Sequence, residues 1–564
     1  MGFWNFIGSL FDLSRSASSS STSSKSKSKH SKSAASKSKT ADSQQSSSTT
    51  APPAKPVETF AKAKVKSPAT QTDSIAPSIP DIEIGAYSTF SPVSIDDAGI
   101  CLRCTPEIPG GDDADLFIDL GIDFGTRYTK VCFRNSDSNQ TSIVTFDNGS
   151  VNLEQALVSS QIAILDRGEI LTGLTSNEWE ASQWPITTTI SFIKMRLAYL
   201  DIPQDKPQWP PSVDALDSPA TIENLSAYFL GRLIARSRNW IQTTQPDLFK
   251  KRKVGWVLKV GAPVEYWHGP AIDRFERVLK LAWALSFTPM VRGGDMVTLP
   301  QLNQCLNHVR VWVEQHPDLD CFAKPEIAAA VWAHIRAVGS REGFFVFFDV
   351  GEGTTEGASF RFYRDNGEDR ISFYSGFVRP LGVATLSQQL QDELALDSKA
   401  VRDALLSWNL SSDKADQKNI LKSQTRKYFQ RIVASVIVTG FNRYRSACLY
   451  LWKSEIGSIL KVFLGGGGSQ ISFFKHGVES TYTDFNHQQS IPDLPPYKTD
   501  NVPEPEDLDL KNLGTSVFNR FSIAYGLSIA EGQFPEFDFP DDTDFPKPPP
   551  RPEPNNHSDM KDLC

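Results

Sequence analysis

The chain has 564 residues, 40% of them hydrophobic, and a formal net charge of -8. That length allows several domains or one large two-lobed body, and the acidic balance argues against nucleic acid as a partner. No apolar run approaches the roughly 18 residues of a membrane-spanning helix, and seven scattered cysteines suit a reducing, cytoplasmic setting better than a disulfide framework.

The N-terminus, "MGFWNFIGSLFDLSRS", places Phe3, Phe6, Ile7, Leu10 and Phe11 on one face of a short helix over residues 1–15. A Ser/Lys tract follows, and residues 16–115 read as a disordered linker because they cannot bury enough apolar surface to offset ordering. The helix and the lysines together (residues 1–40) fit an anionic membrane surface, with a peripheral location, or equally a helix that docks on a partner or on the chain's own core. Cys101 and Cys104 have metal-knuckle spacing but no second pair to complete four ligands, so they also read as two thiols in a linker.

From about residue 116, strand-like apolar runs alternate with amphipathic helices, which predicts an α/β body. "LGIDFGTRYTKVCF" reads as a strand ending at Asp123, a turn through Gly125, and a second strand from about Tyr128. "GWVLKVGAP" is a strand. "DSPATIENLSAYFLGRLIARSRNWI" is a helix with Ser218 as its N-cap and Pro219 in the first turn. "GFFVFFDVGEGTTEGA" is a buried strand closed by Asp349, with Gly351, Gly353 and Thr354 in the turn. A second long helix, broken or bent, covers about 423–453, and "KVFLGGGGSQI" runs a strand into four glycines. The segment 532–564 is acidic, Pro-rich and read as disordered.

The three glycine turns in this order resemble the actin-like ATPase superfamily, and most closely the ATPase domain of the seventy-kilodalton heat-shock chaperones. "GIDFGTRYTKV" and "DVGEGTTEGA" are similar to that family's two phosphate motifs, and "FLGGGGSQI" to its adenosine motif. "KPEIAAAVWAH" resembles its connecting helix, "SFIKMRL" the segment bearing its catalytic lysine, and "AYGLSIAEG" its closing helix. The resemblance implies a two-lobed fold, each lobe on a ribonuclease-H-like mixed sheet with flanking helices. The lobes would span 116–345, with an insertion at about 288–320, and 346–531.

It further implies ATP and Mg2+ as ligands. Asp123 and Asp349 would hold the metal through its waters. Gly125, Thr126, Arg127 and Tyr128 would face the phosphates from one side, and Gly351, Glu352, Gly353 and Thr354 from the other. Gly466, Gly467 and Gly468 would pass the adenosine, Lys194 would stabilise the transferring phosphoryl group, and Glu326 would be the polar group near the attacking water. The chain departs from the family pattern at Glu352, at Arg127, in the order of Pro325 and Glu326, and at Arg520. The expected function is an ATP-hydrolysing, chaperone-like switch whose lobe movement controls a protein partner. An actin-like filament or membrane-associated cytoskeletal ATPase, and then a small-molecule kinase, are the alternatives. The residues after the closing helix are too few for the family's peptide-gripping module, so a partner is expected on the lobes, the insertion or the N-terminal head.

Overall fold

The computed structural model describes residues 115–146, 152–181, 183–200, 216–250, 252–263, 270–292, 296–338, 341–379, 382–394, 401, 432–448, 451–487 and 493–538. All of these fall in one compact unit. The helix expected over residues 1–15, the linker residues up to 114 with Cys101 and Cys104, and residues 539–564 lie outside the described residues.

Ten strands carry the body: β1 (Asp115–Asp123), β2 (Tyr128–Asn135), β3 (Gln140–Ile143), β4 (Lys253–Ala262), β5 (Cys321–Pro325), β6 (Gly343–Val350), β7 (Thr355–Asp365), β8 (Glu368–Arg379), β9 (Leu460–Gly465) and β10 (Tyr497–Asn501). The first sheet runs β3-β2-β1-β4-β5 and the second β8-β7-β6-β9-β10. In each, three consecutive strands form an antiparallel meander. Two further strands then join parallel to the first of the three. The likeness extends to the edges. Leu508–Asp509 lies parallel to β3, and Glu536–Asp538 lies parallel to β8.

β1 buries Leu116, Ile118, Leu120 and Ile122 on one face, while Asp119 and Asp123 on the other are buried against Lys259 and Lys130 and Phe117 stays exposed. The Pro219–Thr244 helix packs with the Pro270–Leu285 helix on the first sheet's side, and its start follows the sequence: Ser218 Oγ accepts from Thr221 N, with Pro219 at the first helical position. Two other helices, Glu326–Val338 and Phe518–Leu527, pack on each other. The second of them crosses back to lie against β1 and β2, although it follows β10 in the chain. One apolar core therefore joins Cys132 and Ile143 of the first sheet, Ala328–Ala330 and Phe521–Leu527 of these helices, and Phe347, Phe360 and Phe463 of the second sheet.

Three readings are refined. The ordered chain continues past residue 531. The aromatic of Glu536–Asp538, Phe537, meets the Phe373 and Phe534 rings at 6.3 Å each, so the acidic and proline-rich composition around it hid a short strand. The 288–320 segment is built into the fold: Val297–Thr298 pairs with Glu169–Leu171 in a small four-stranded sheet, and Leu299–Gln315 packs on the Pro270–Leu285 helix. The helix read over 423–453, where described, has a π turn over Ala434–Val438, continues as Thr439–Ala447 and ends at Cys448. Among the described residues, no helix is long and apolar enough to cross a membrane.

Candidate functional site

The β1–β2 hairpin begins the site. Asp123 closes β1 and lies directly opposite Lys130 of β2, and the two side chains form an ion pair. In the turn between them, Gly125 N donates to Asp123 O at 2.9 Å. Ser160 braces the turn from outside: its Oγ donates to Gly125 O at 2.8 Å and lies 2.9 Å from Thr129 Oγ1, and its N donates to Arg127 O at 2.8 Å. The Arg127 guanidinium sits 5.3 Å from the centre of the Tyr128 ring.

The β6–β7 hairpin repeats this register. Asp349 lies directly opposite Glu356, at the same seven-residue spacing. Gly351 N donates to Thr354 O at 2.8 Å and closes the turn. The first turn of the Val383–Leu394 helix then seats on it, with Val383 N donating to Gly351 O at 3.0 Å and Ala384 N to Glu352 O at 2.9 Å. Helix N–H groups that lack a partner within the helix thereby fix the loop.

The glycine run follows β9, in which Gly465 is the register partner of Asp349. Gly466 has φ +76°, and a Cβ there would lie 2.5 Å from Val350 O and 2.6 Å from Asp349 Oδ1, so only glycine lets the chain pass this carboxylate. Gly468 packs on Val350, Gly467 lies beside the Arg520 guanidinium, and Gly466 N donates to Asn519 O at 2.8 Å.

The two hairpins touch. A Cβ on Gly353 would lie 2.6 Å from Thr126 Cγ2 and 3.2 Å from the Phe192 ring. Arg127 forms an ion pair with Glu352 across the contact. Phe192 has a left-handed backbone, φ 59°, which costs a non-glycine residue about 1–3 kcal/mol. It precedes the Ile193–Ala198 helix and delivers Lys194, which is 3% exposed. Lys194 Nζ donates to Glu326 Oε2 at 2.5 Å and lies 3.9 Å from Glu356 Oε1. Glu326 is the first residue of its helix, and its side chain lies flat on Gly261, where any Cβ would displace it.

Four carboxylates, Asp123, Glu326, Asp349 and Glu356, thus share a crowded site with two ammonium groups, Lys130 and Lys194. Burial pushes the Asp349 carboxyl up to about 7; Lys130 and Lys194 pull it down, while Asp123 and Glu326 add to the rise. Glu356 is held well above the usual carboxylate range by burial and then by Glu326. Burial works against the charge on Lys194, yet Glu326 and Glu356 more than offset it and raise its pKa.

The structure brings together Asp123, Gly125, Thr126, Arg127, Tyr128, Lys194, Glu326, Asp349, Gly351, Glu352, Gly353, Thr354 and Gly466. Gly467 and Gly468 line the next turn of chain. Sequence reasoning missed Lys130, Glu356, Ser160 and Phe192. The first two could have been found by counting across each hairpin, since residues 123 and 349 pair back at 130 and 356. Among the described residues, no three His, Cys, Asp or Glu side chains could hold a metal ion together. Asp123 and Asp349 remain as hard oxygen donors of the type that suits magnesium, which takes one or two carboxylates and keeps several waters. Among the described residues of this site, three buried oxygens have no hydrogen-bond partner in the protein: Thr126 Oγ1, Glu326 Oε1 and Glu356 Oε2. They come from both hairpins and the Glu326 helix: the Thr126 hydroxyl can donate to a phosphate oxygen, and the two carboxyl oxygens can accept from a metal-bound or attacking water. No protein-family model matches the chain, and no curated protein matches it.

Proposed function

We propose that the chain binds ATP with magnesium between two lobes of the actin and heat-shock ATPase type, each on a ribonuclease-H-like sheet, and hydrolyses it. The observation that carries this reading is the pair of register-matched hairpins, Asp123–Lys130 and Asp349–Glu356, whose turns touch at Thr126 and Gly353. The identical strand order and direction of the two sheets supports it, as does the glycine run passing the Asp349 carboxylate.

In this reading Asp123 and Asp349 would hold the magnesium, and the turn amides of Gly125–Arg127 and Gly351–Thr354 would receive the phosphates. Bound magnesium would supply charge neutralisation of the phosphoryl group. The Lys194 ammonium offsets the negative charge on the transferring oxygens, and its ion pair with Glu326 fixes it in place. Glu326 Oε1 and Glu356 Oε2 are the acceptors for an attacking water. The Gly466–Gly468 turn takes the adenosine. Closure of the lobes round the nucleotide is the output that a protein partner reads.

Phosphate release from ATP, measured with and without magnesium, tests the reading. Release that requires magnesium and disappears in Asp349→Ala and in Lys194→Ala supports it. Absence of both ATP binding and turnover in the wild type, or turnover unchanged in both variants, overturns it.

A further inference from the structure

The two hairpin turns are bridged at their tips by the ion pair of Arg127 Nη1 with Glu352 Oε1, whose side chains are 47% and 32% exposed. The backbones beneath are fixed: Arg127 O receives Ser160 N, and Glu352 O receives Ala384 N. The pair can therefore part by side-chain rotation alone, with no change in either turn. An ion pair this exposed is worth little, because water solvates both ends as they separate.

The neighbouring cations are committed differently. Lys130 pairs with Asp123, which is 3% exposed, and Lys194 with Glu326, which is 2% exposed. Pulling either ammonium away leaves a buried carboxylate without its counter-ion, which is costly. Arg127 can change partners without that cost. A guanidinium also gains from the exchange, since a phosphate group accepts two parallel charge-assisted hydrogen bonds from it. The Tyr128 ring lies beside it, 5.3 Å from the guanidinium to the ring centre.

We propose that Arg127 distinguishes a nucleoside triphosphate from a diphosphate, with Glu352 as its built-in competitor. The terminal phosphate displaces the Glu352 carboxylate from the guanidinium. When a diphosphate is bound, the Arg127–Glu352 bridge stays closed. This inference rests on the nucleotide-binding reading above and adds to it the residue pair that senses the third phosphate.

Titration calorimetry with ATP and with ADP, both with magnesium, on the wild type, Arg127→Ala, Glu352→Gln and the double variant tests it. The wild type should prefer ATP. Arg127→Ala should weaken ATP about tenfold and leave ADP within about twofold, so that the preference collapses. Glu352→Gln should tighten ATP more than ADP, and the double variant should match Arg127→Ala. Retention of the wild-type ATP/ADP ratio by Arg127→Ala overturns the inference alone. So does an equal gain for both nucleotides in Glu352→Gln, since that reports long-range charge and not competition. Failure of the wild type to bind either nucleotide overturns the function itself and this inference with it. Thermal unfolding of each variant guards the comparison, and both side chains are exposed enough for the variants to fold.

Discussion

The two hairpins have the same register and opposite chemistry. In the first, the residue across from the aspartate is Lys130, so the buried Asp123 has a cation built into its own hairpin. In the second, the residue across from the aspartate is Glu356, so two carboxylates face each other at the equivalent position. The second hairpin takes its relief from outside, through Lys194, which lies 3.9 Å from Glu356 and is delivered by the segment after Phe192. A shared backbone plan therefore fixes where the side chains meet, while the residue opposite each aspartate sets the charge. The first hairpin is electrostatically self-sufficient and the second is complete only against the rest of the body.

That contrast can be broken most severely at Lys194. Lys194→Met leaves Glu326 and Glu356 buried without their cation and should lower the unfolding free energy by about 3–5 kcal/mol. It should also remove ATP turnover. Adding Glu326→Gln should recover most of the stability and none of the turnover, which separates the structural role from the chemical one. Denaturant unfolding and phosphate release on the same samples check both. A Lys194→Met protein with wild-type stability contradicts the assignment.

The hairpins themselves should respond unequally to the loss of a charge. Lys130→Gln strands the buried Asp123 and should destabilise the protein by about 3 kcal/mol. Glu356→Gln mimics the neutral acid and should be tolerated. Because the folded-state pKa of Glu356 is raised, its contribution is fully present below the ordinary value of 4.5 and is lost as pH rises. Unfolding measured across pH should therefore show the wild type losing ground against Glu356→Gln from about 4.5 upward. Equal losses in the two variants would erase the distinction between the hairpins.

A smaller effect is expected at the glycine run. Gly466→Ala forces a side chain into φ +76° and against the Asp349 carboxylate, and should cost about 1–3 kcal/mol in thermal unfolding. Gly467→Ala, whose Cβ would meet nothing nearer than the Arg520 guanidinium at 3.9 Å, should cost much less. Equal costs at the two positions would mean that the chain does not pass Asp349 as described.

The sequence disclosed the parts of this site that are local. A strand ending in aspartate with glycines after it is a short-range pattern: Asp123 ends its strand, Asp349 lies one residue before the end of its own, and the Gly466–Gly468 run follows a third strand. The Pro219–Thr244 helix was equally legible, from its Ser-Pro start. Long-range pairings were not. Lys194 and Glu326 are 132 residues apart, and nothing in either segment announces the ion pair. The Phe518–Leu527 helix crosses back onto the first sheet through Gly121, a contact that composition cannot show. The Glu536–Asp538 strand was hidden for another reason, since a few alternating residues do not outweigh the acidic, proline-rich composition around them.

Hydrogen exchange tests most directly whether three segments from both sheets make one nucleotide site, as proposed. Adding ATP with magnesium should slow exchange together in Asp123–Tyr128, in Gly351–Thr354 and in Gly465–Ser469, with no equal change at the distant Leu299–Gln315 helix. Protection in none of the three, or in the turns of one sheet alone, would contradict a single site built across both.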